Sequence, residues 1–186
     1  AWARSIVEAQ EAAIPPGAWP NYVIGNHDEP RIATRLGPQR ARMATMMLLT
    51  LRGTPTLYYG DELGMVEAPI PPALQQDPWG LQQPGYSRDG CRTPMQWTAE
   101  PGGGFTDGGP SLPLHGPVGE LDGEDEAGKP DSMLELTRRL LELRRSSEAL
   151  SLGDYETLPD QPAEDFAYRR RGGGEEFVVA LNFAES

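Results

Sequence analysis

The sequence predicts an α/β fold in which a helix joins two parallel strands and a smaller antiparallel β region follows. Two observations carry this prediction. The first is that an apolar run at residues 22–24 and a β-branched, aromatic run at residues 56–59 flank a stretch with helical periodicity. Strand, helix and strand at this spacing form a βαβ unit, whose strands are parallel with a right-handed crossover. The second is that the apolar period changes from helical to alternating after Leu150.

The chain is predicted to begin with an amphipathic helix over residues 2–13. Prolines at 15 and 16 end this helix. A strand is then predicted over residues 21–26, and the loop after it contains Pro30, which cannot continue a sheet. The predicted apolar face of the helix consists of Trp2, Ile6, Ala9 and Ala13.

A second helix is predicted over residues 39–52, followed by a strand at residues 56–59. Gly53 suits the C-cap of the helix, and Gly60 ends the strand. Methionines at helical spacing are typical of core filling, so we expect this face to pack inside the protein. The apolar face consists of Met43, Met46, Met47, Leu48 and Leu51.

The remainder of the chain divides into a long loop, a helix and three strands. Residues 66–130 are dense in Pro and Gly without a regular period, and loops of this length in compact domains are usually functional. A helix is predicted from Ser132 to about Ser147. Alternating patterns then predict antiparallel strands at residues 154–158, 166–171 and 175–183.

Composition limits the possible partners. The 186-residue chain carries a net charge of −12, which argues against nucleic acid or an anionic membrane as a partner. No apolar run in the sequence is long enough to span a bilayer. Because Cys91 is the sole cysteine, no disulfide can form within the chain. A reducing compartment, and therefore the cytoplasm, is the predicted location.

Residues 25–31 (GNHDEPR) place His27 and Asp28 where the first strand gives way to a loop. Parallel α/β folds carry their chemistry at the carboxyl ends of strands, so this position favours a pocket. A His-Asp pair by itself is more often a capped turn. Three further motifs make the pattern specific: residues 52–65 (RGTPTLYYGDELGM), 88–97 (RDGCRTPMQW) and 104–106 (GFT).

These four motifs, in this order, closely resemble the retaining α-amylase family of glycoside hydrolases, glycoside hydrolase family 13, in its α-glucosidase and oligo-1,6-glucosidase branch. The resemblance implies a (β/α)8 TIM barrel. Residues 1–150 would supply strands 7–8 and helices 7–8, and residues 151–186 would begin an antiparallel β domain. Such barrels need about 250 residues. We therefore expect the chain to be the C-terminal portion of an enzyme that requires the rest of its barrel upstream.

The resemblance also implies roles for individual residues. Asp28 would be the catalytic carboxylate that binds sugar hydroxyls and stabilises the oxocarbenium-like transition state. His27 would donate a hydrogen bond to the same sugar. Arg88 would bind the terminal sugar hydroxyls and a neighbouring carboxylate in the closed end of the pocket. Arg31 would contact the adjoining sugar, although a loop-bracing role is equally compatible with the sequence.

Other residues in the motifs are expected to be structural. Arg92 and Trp97 would pack their loop against the barrel, and Asp61 and Glu62 would brace the end of the second strand. The resemblance implies no cofactor and no metal in this segment. The family's nucleophile and acid/base belong to strands four and five, which would lie upstream, so we expect no glycosidase activity from the chain alone.

The predicted function is that of a retaining α-glucosidase, which hydrolyses terminal α-linked glucose from small oligosaccharides or disaccharides. One alternative keeps the fold and rearranges or transfers the glucosyl group, as sucrose isomerases and trehalose synthases do. Another is a non-catalytic homologue that acts as a scaffold or carbohydrate-binding partner. The pair His27-Asp28 together with Arg88 counts against this last alternative, because a scaffold has no need of a transition-state carboxylate.

Overall fold

The structure is a computed structural model that describes residues 2–115 and 121–184. Among these residues, none of the helices has both the length and the apolar character to cross a membrane. Short 3₁₀ turns occur in the long loop. The helices are α1 (Trp2–Ala13), α2 (Ile32–Leu36), α3 (Pro38–Thr50), α4 (Pro78–Gln82), α5 (Gly123–Glu126), α6 (Met133–Ser146) and α7 (Glu148–Ser151), and the strands are β1 (Asn21–Val23), β2 (Thr54–Thr56), β3 (Asp154–Thr157), β4 (Asp165–Gly172) and β5 (Glu175–Asn182).

The chain folds into two compact units. The first comprises residues 1–23, 43–56 and 138–186, and the second comprises residues 24–42 and 57–137. Both sheets belong to the first unit. In one sheet β1 and β2 are parallel, and in the other β3, β4 and β5 are antiparallel in sequence order. The predicted parallel and antiparallel pairings are therefore confirmed, whereas the predicted domain boundary at residue 150 stays a prediction.

The two parallel strands are shorter than predicted. The ladder pairs Asn21 with Thr54 and Val23 with Thr56, so it ends before the tyrosines that were predicted to lie in the second strand. Their hydroxyls instead donate to loop carbonyls: Tyr58 to Cys91 and Tyr59 to Thr93. The aromatic run that suggested a strand thus anchors the long loop.

The core of the first unit lies between α1, the C-terminal half of α3 and the sheet of β4 and β5. The predicted methionine face is confirmed, because Met47 is buried and Met43 and Met46 pack against the same cluster. Helix α1 begins and ends where predicted, but the predicted face is wrong. Ala3 and Val7 are buried, whereas Trp2 and Ile6 are exposed. Four-residue spacing puts Ala3 and Val7 on one face of the helix.

A buried arginine caps the C-terminal end of α3. The last carbonyls of a helix have no partner within it, and a cation near that end also complements the helix dipole. Arg144, from α6, donates through Nη1 to the carbonyls of Leu49 and Leu51 at 2.9 and 2.8 Å. Its Nη2 donates to the carbonyl of Gly53 at 2.5 Å. Burial lowers the pKa of Arg144 from its ordinary value.

A second buried arginine, Arg170 of β4, serves the same helix end. Its Nη1 donates to the carbonyl of Thr50 at 2.6 Å, and its Nη2 donates to that of Gly153 at 3.0 Å. Burial also lowers the pKa of Arg170, to about 10. Two guanidinium groups therefore satisfy carbonyls at the turn between α3 and β2 and near the start of the antiparallel sheet.

We expect the change Arg144→Met to lower the free energy of unfolding by about 3 kcal/mol, because three buried carbonyls lose a charged donor. Urea unfolding of the chain, followed by circular dichroism, measures this loss. The control is Arg145→Met, which removes the same group from an exposed position one residue further along α6. Equal losses in the two variants would contradict the capping role.

The second unit is mostly loop, as predicted for residues 66–130, of which 116–120 lie outside the described residues. It contains the small helices α4 and α5 and several 3₁₀ turns. A small apolar cluster of Leu63, Met65 and Met95 lies beneath these loops, with Leu134 packed against it. The second unit also contains the loop with the His-Asp pair.

A buried carboxylate lies directly against the start of that loop. Asp61 is fully buried, and neither of its carboxylate oxygens has a hydrogen-bond partner among the described residues. A Cβ at position 25 would overlap Asp61 Oδ2, so only a glycine lets the backbone pass. Burial raises the pKa of Asp61 from 3.8 to about 6, although the nearby Arg31 cation opposes the increase.

Because the pKa of Asp61 is raised in the folded state, the stability of the chain depends on pH. A carboxyl whose pKa is higher in the folded state contributes stability that is complete below the unfolded value of 3.8. That stability is lost as the pH rises through about 6. From pH 3 to pH 8 the loss amounts to about 3 kcal/mol for a shift of this size.

We therefore expect the change Asp61→Asn to alter the free energy of unfolding more favourably at pH 8 than at pH 4. Asparagine is neutral at both pH values, so the variant carries no buried charge at pH 8. Urea unfolding at the two pH values measures the difference. Glu62→Gln is the control, because it removes the neighbouring carboxylate at a half-buried position. If the effect of Asp61→Asn on the free energy of unfolding is the same at both pH values, burial does not destabilise the charged form of the Asp61 carboxyl.

Candidate active site

The His-Asp loop is shaped by the side chain of Asn26. Its Oδ1 accepts hydrogen bonds from the backbone N–H groups of Asp28, at 2.8 Å, and Glu29, at 3.1 Å. This is an Asx turn, in which a short side chain replaces a backbone carbonyl as acceptor. The turn fixes the backbone of residues 26–29 and leaves the side chains of His27 and Asp28 exposed.

Asp28 is the centre of a cluster of charges. Its Oδ1 accepts from Nη1 of Arg88 at 2.7 Å and from Nη2 of Arg92 at 3.2 Å. Its Oδ2 lies 3.4 Å from Nε2 of His27. The Asp28 side chain is 51% exposed and that of His27 is 67% exposed. Two guanidinium groups thus hold one oxygen, while the other faces the imidazole at the surface.

Arg88 reaches Asp28 from the long loop, where a second carboxylate holds it. Asp77 accepts from Arg88 Nε through Oδ2 and from Arg88 Nη2 through Oδ1, both at 2.8 Å. Unlike Asp28, Asp77 is buried. The hydrogen bonds with Arg88 lower the pKa of Asp77 well below its usual range, and they raise the pKa of Arg88. Both groups are therefore charged across the ordinary pH range.

The resemblance implies that Arg92 packs its loop, and in the structure it also contacts the candidate catalytic carboxylate. Besides its bond to Asp28, its Nε donates to the carbonyl of His27 at 2.8 Å. It therefore braces the loop and shares Asp28 with Arg88. The four-residue spacing of the two arginines, across the 3₁₀ turn Asp89–Cys91, lets both converge on one oxygen.

The predicted substrate contact of Arg31 is not supported. Arg31 is only 1% exposed, and its Nη1 donates to the carbonyl of Tyr59 at 2.7 Å. Its guanidinium lies 5.3 Å from the ring centre of Tyr58 and 5.0 Å from that of Tyr59. Because Arg31 is buried beside these two aromatic rings, it cannot reach a sugar, and it takes the loop-bracing role that the sequence left open.

Nothing in the sequence indicates that Asp77 is a partner of Arg88. The dipeptide Asp77-Pro78 is typical of a helix start, and Asp77 does cap α4 by accepting from the N–H of Trp79. That signal identifies a cap and not a partner of Arg88, because the two residues lie eleven positions apart in a loop without periodicity.

The arrangement can bind a neutral, hydroxyl-rich ligand. It presents a half-exposed carboxylate, an imidazole and guanidinium groups, which together offer both acceptors and donors to hydroxyls. Within residues 2–115 and 121–184, no three His, Cys, Asp or Glu side chains are grouped so that they could hold a metal ion.

Comparison with known proteins identifies the family. Residues 1–153 match the model of the α-amylase catalytic domain. The chain is 29% identical to a probable oligo-1,6-glucosidase of Bacillus subtilis, over 98% of this chain and 37% of that protein. It is 36% identical to a salivary α-glucosidase of Anopheles gambiae, over 95% of this chain and 31% of that protein.

Solved structures agree with the sequence comparison. The chain superposes on the crystal structure of an α-glucosyl transfer enzyme, XgtA, with a TM-score of 0.88 and 36% identity, over 98% of this chain and 35% of that one. The chain thus spans about a third of the length of the proteins it matches. The match to barrel enzymes over almost the whole chain agrees with part of an α/β barrel. The chain therefore belongs to the α-amylase family of glycoside hydrolases.

Proposed function

We propose that this chain forms the C-terminal portion of the catalytic barrel of a retaining α-glucosidase, which hydrolyses terminal α-linked glucose from short oligosaccharides or disaccharides. Asp28 is the transition-state-stabilising carboxylate, and His27 and Arg88 bind the sugar beside it. The single observation that carries the proposal is the convergence of Arg88, Arg92 and His27 on a half-exposed Asp28.

The chemistry of glycoside cleavage explains why such a carboxylate is useful. As the glycosidic bond breaks, the sugar ring gains positive charge and its hydroxyls become more acidic. A fixed carboxylate that accepts from those hydroxyls therefore binds the transition state more tightly than the ground state, and only such differential binding raises kcat. The guanidinium bonds to Oδ1 keep Asp28 in one position before the substrate arrives.

In the whole enzyme we expect Asp28→Asn to lower kcat by about 10³-fold, the size of effect seen when one preorganised transition-state contact is removed. The KM for an α-glucoside changes much less, because the amide still occupies the same space and accepts through one oxygen. Steady-state kinetics with p-nitrophenyl α-glucoside measures both constants.

Asp107→Asn is the matched control, since it makes the same change at an exposed position in the same unit. Its kcat should equal that of the unmutated enzyme. If the kcat of the Asp28→Asn enzyme stays within about threefold of that of the unmutated enzyme, the proposed role of Asp28 is wrong. Loss of a contact that stabilises the transition state lowers kcat far more than this.

We also propose that the 186-residue chain has no glycosidase activity by itself. Retaining glycosidases need a nucleophile and an acid/base carboxylate. The family resemblance implies that both lie upstream of this chain. This view is supported by the finding that the chain spans only about a third of the length of the proteins it matches. The purified chain is incubated with p-nitrophenyl α-glucoside, and its purified Asp28→Asn variant serves as the blank. Turnover above that blank would contradict the proposal.

A second candidate function is glucosyl transfer or isomerisation in place of hydrolysis. The observation that favours it is the similarity to XgtA, which is described as an α-glucosyl transfer enzyme. Analysis of the products that the whole enzyme forms from sucrose and maltose separates the two: free glucose indicates hydrolysis, and a new disaccharide or glucoside indicates transfer or isomerisation. Absence of any product would instead favour a non-catalytic homologue.

A cytoplasmic location also stays a prediction.

A further inference from the structure

We propose that Asp77 is the positioning residue that holds the guanidinium of Arg88 in place, so that Nη1 of Arg88 is directed at Asp28. Asp77 does not touch the substrate in this proposal and acts through Arg88. The anchoring of Arg88 follows from the contacts in this structure. Its consequence for catalysis rests on the proposed function.

The first step is the geometry of the pair. A guanidinium is planar and rigid, so two of its nitrogens, once fixed, determine where the third points. Asp77 takes Nε and Nη2 of Arg88 in a two-point contact with both distances at 2.8 Å. Nη1 is the nitrogen that remains, and it lies 2.7 Å from Oδ1 of Asp28.

The second step is that Asp77 is itself immobile. Its side chain is fully buried, and its two oxygens also accept from the backbone N–H groups of Trp79 and Arg88. The carboxylate therefore holds the backbone of Arg88 as well as its side chain. The Trp79 indole completes the enclosure, since the Arg88 guanidinium carbon lies 5.3 Å from its ring centre.

The third step is that a further buried carboxylate holds the loop around Asp77. Oδ2 of Asp89 accepts from the backbone N–H groups of Gln76 and Asp77, at 2.7 and 3.0 Å, and from the hydroxyl of Ser87 at 3.0 Å. A Cβ at Gly80 would overlap the side chain of Ser87, so α4 packs closely against this end of the loop. The two ends of the loop are thereby joined on either side of the pair.

Replacement of Asp77 by asparagine tests the pair while keeping one acceptor oxygen at this position. Asparagine is as good an N-cap as aspartate, and it occupies the same space. An amide, however, presents one acceptor oxygen where the carboxylate presents two. Whichever way the amide is turned, one of the two bonds to the Arg88 guanidinium is replaced by a contact between two donors.

The chain offers a matched control in Asp122. This residue is also buried and also caps a short helix, α5, by accepting from the N–H of Asp125 at 2.7 Å. Its described contacts include no arginine. Asp122→Asn therefore reproduces the loss of a buried, helix-capping carboxylate without the loss of an arginine partner.

The first measurement is made on the chain itself and does not depend on its function. Solvent exchange of the Arg88 Nε–H, followed by ¹⁵N NMR, should be at least about tenfold slower than that of the exposed Arg145. The Nη2 hydrogens of Arg88 should be protected in the same way. Asp77→Asn should abolish the protection of Nε–H or of the Nη2 hydrogens, whichever group then faces the amide nitrogen, and Asp122→Asn should preserve both. The proposal is overturned if Arg88 exchanges as fast as Arg145 in the unmutated chain, or if both groups stay protected in a folded Asp77→Asn variant.

The second measurement is made on the whole enzyme. Asp77→Asn should lower kcat/KM by about 10²-fold, the cost of a small misplacement in a reacting site. In an Arg88→Met background the same change should have almost no further effect, because Asp77 acts through Arg88. Additive effects would show a merely structural role and overturn the proposal. If the unmutated enzyme shows no turnover, the proposed function fails, while the exchange result still decides the anchoring.

Discussion

The bond between the Arg88 guanidinium and two carboxylates is the interaction on which the candidate site depends. One carboxylate, Asp77, is buried in the long loop, and the other, Asp28, is half exposed after the first strand. These residues are far apart in the sequence, yet a single rigid cation joins them. Because the guanidinium is planar, the buried carboxylate sets the direction from which the exposed one is held. The long loop is therefore part of the site itself.

Buried charges are used in two different ways in this chain. In the second unit, the buried Asp77 pairs with the partly exposed Arg88, whose guanidinium compensates the desolvation of the carboxylate. In the first unit, Arg144 and Arg170 have backbone carbonyls as their described partners, and burial lowers the pKa of both. Asp61 differs from all of these, because its buried oxygens have no described partner. Its raised pKa is the expected result of desolvation, which outweighs the opposing effect of the Arg31 cation.

Periodicity predicted those parts of the fold in which each residue's environment is set by its near neighbours. The helices α1, α3 and α6, and the antiparallel strands, were predicted within a few residues, because their apolar spacing is regular. The second parallel strand was misplaced for the opposite reason. Tyr58 and Tyr59 have strong β propensity, but their hydroxyls find partners in the loop at Cys91 and Thr93. β propensity describes the backbone conformation that a residue favours locally. It takes no account of a hydrogen bond to a residue more than thirty positions away.

The sequence by itself determined the family motifs and the parallel βαβ unit, and the family resemblance implied candidate roles for His27, Asp28 and Arg88. These follow from residue types in fixed local order, which a chain carries before it folds. The tertiary structure alone decided that Arg31 is buried beside two tyrosines, that Arg92 shares Asp28, and that Asp77 anchors Arg88. The physical reason is that a charged side chain in an irregular loop is defined by the partner that compensates its charge. Only the folded chain brings that partner within bonding distance.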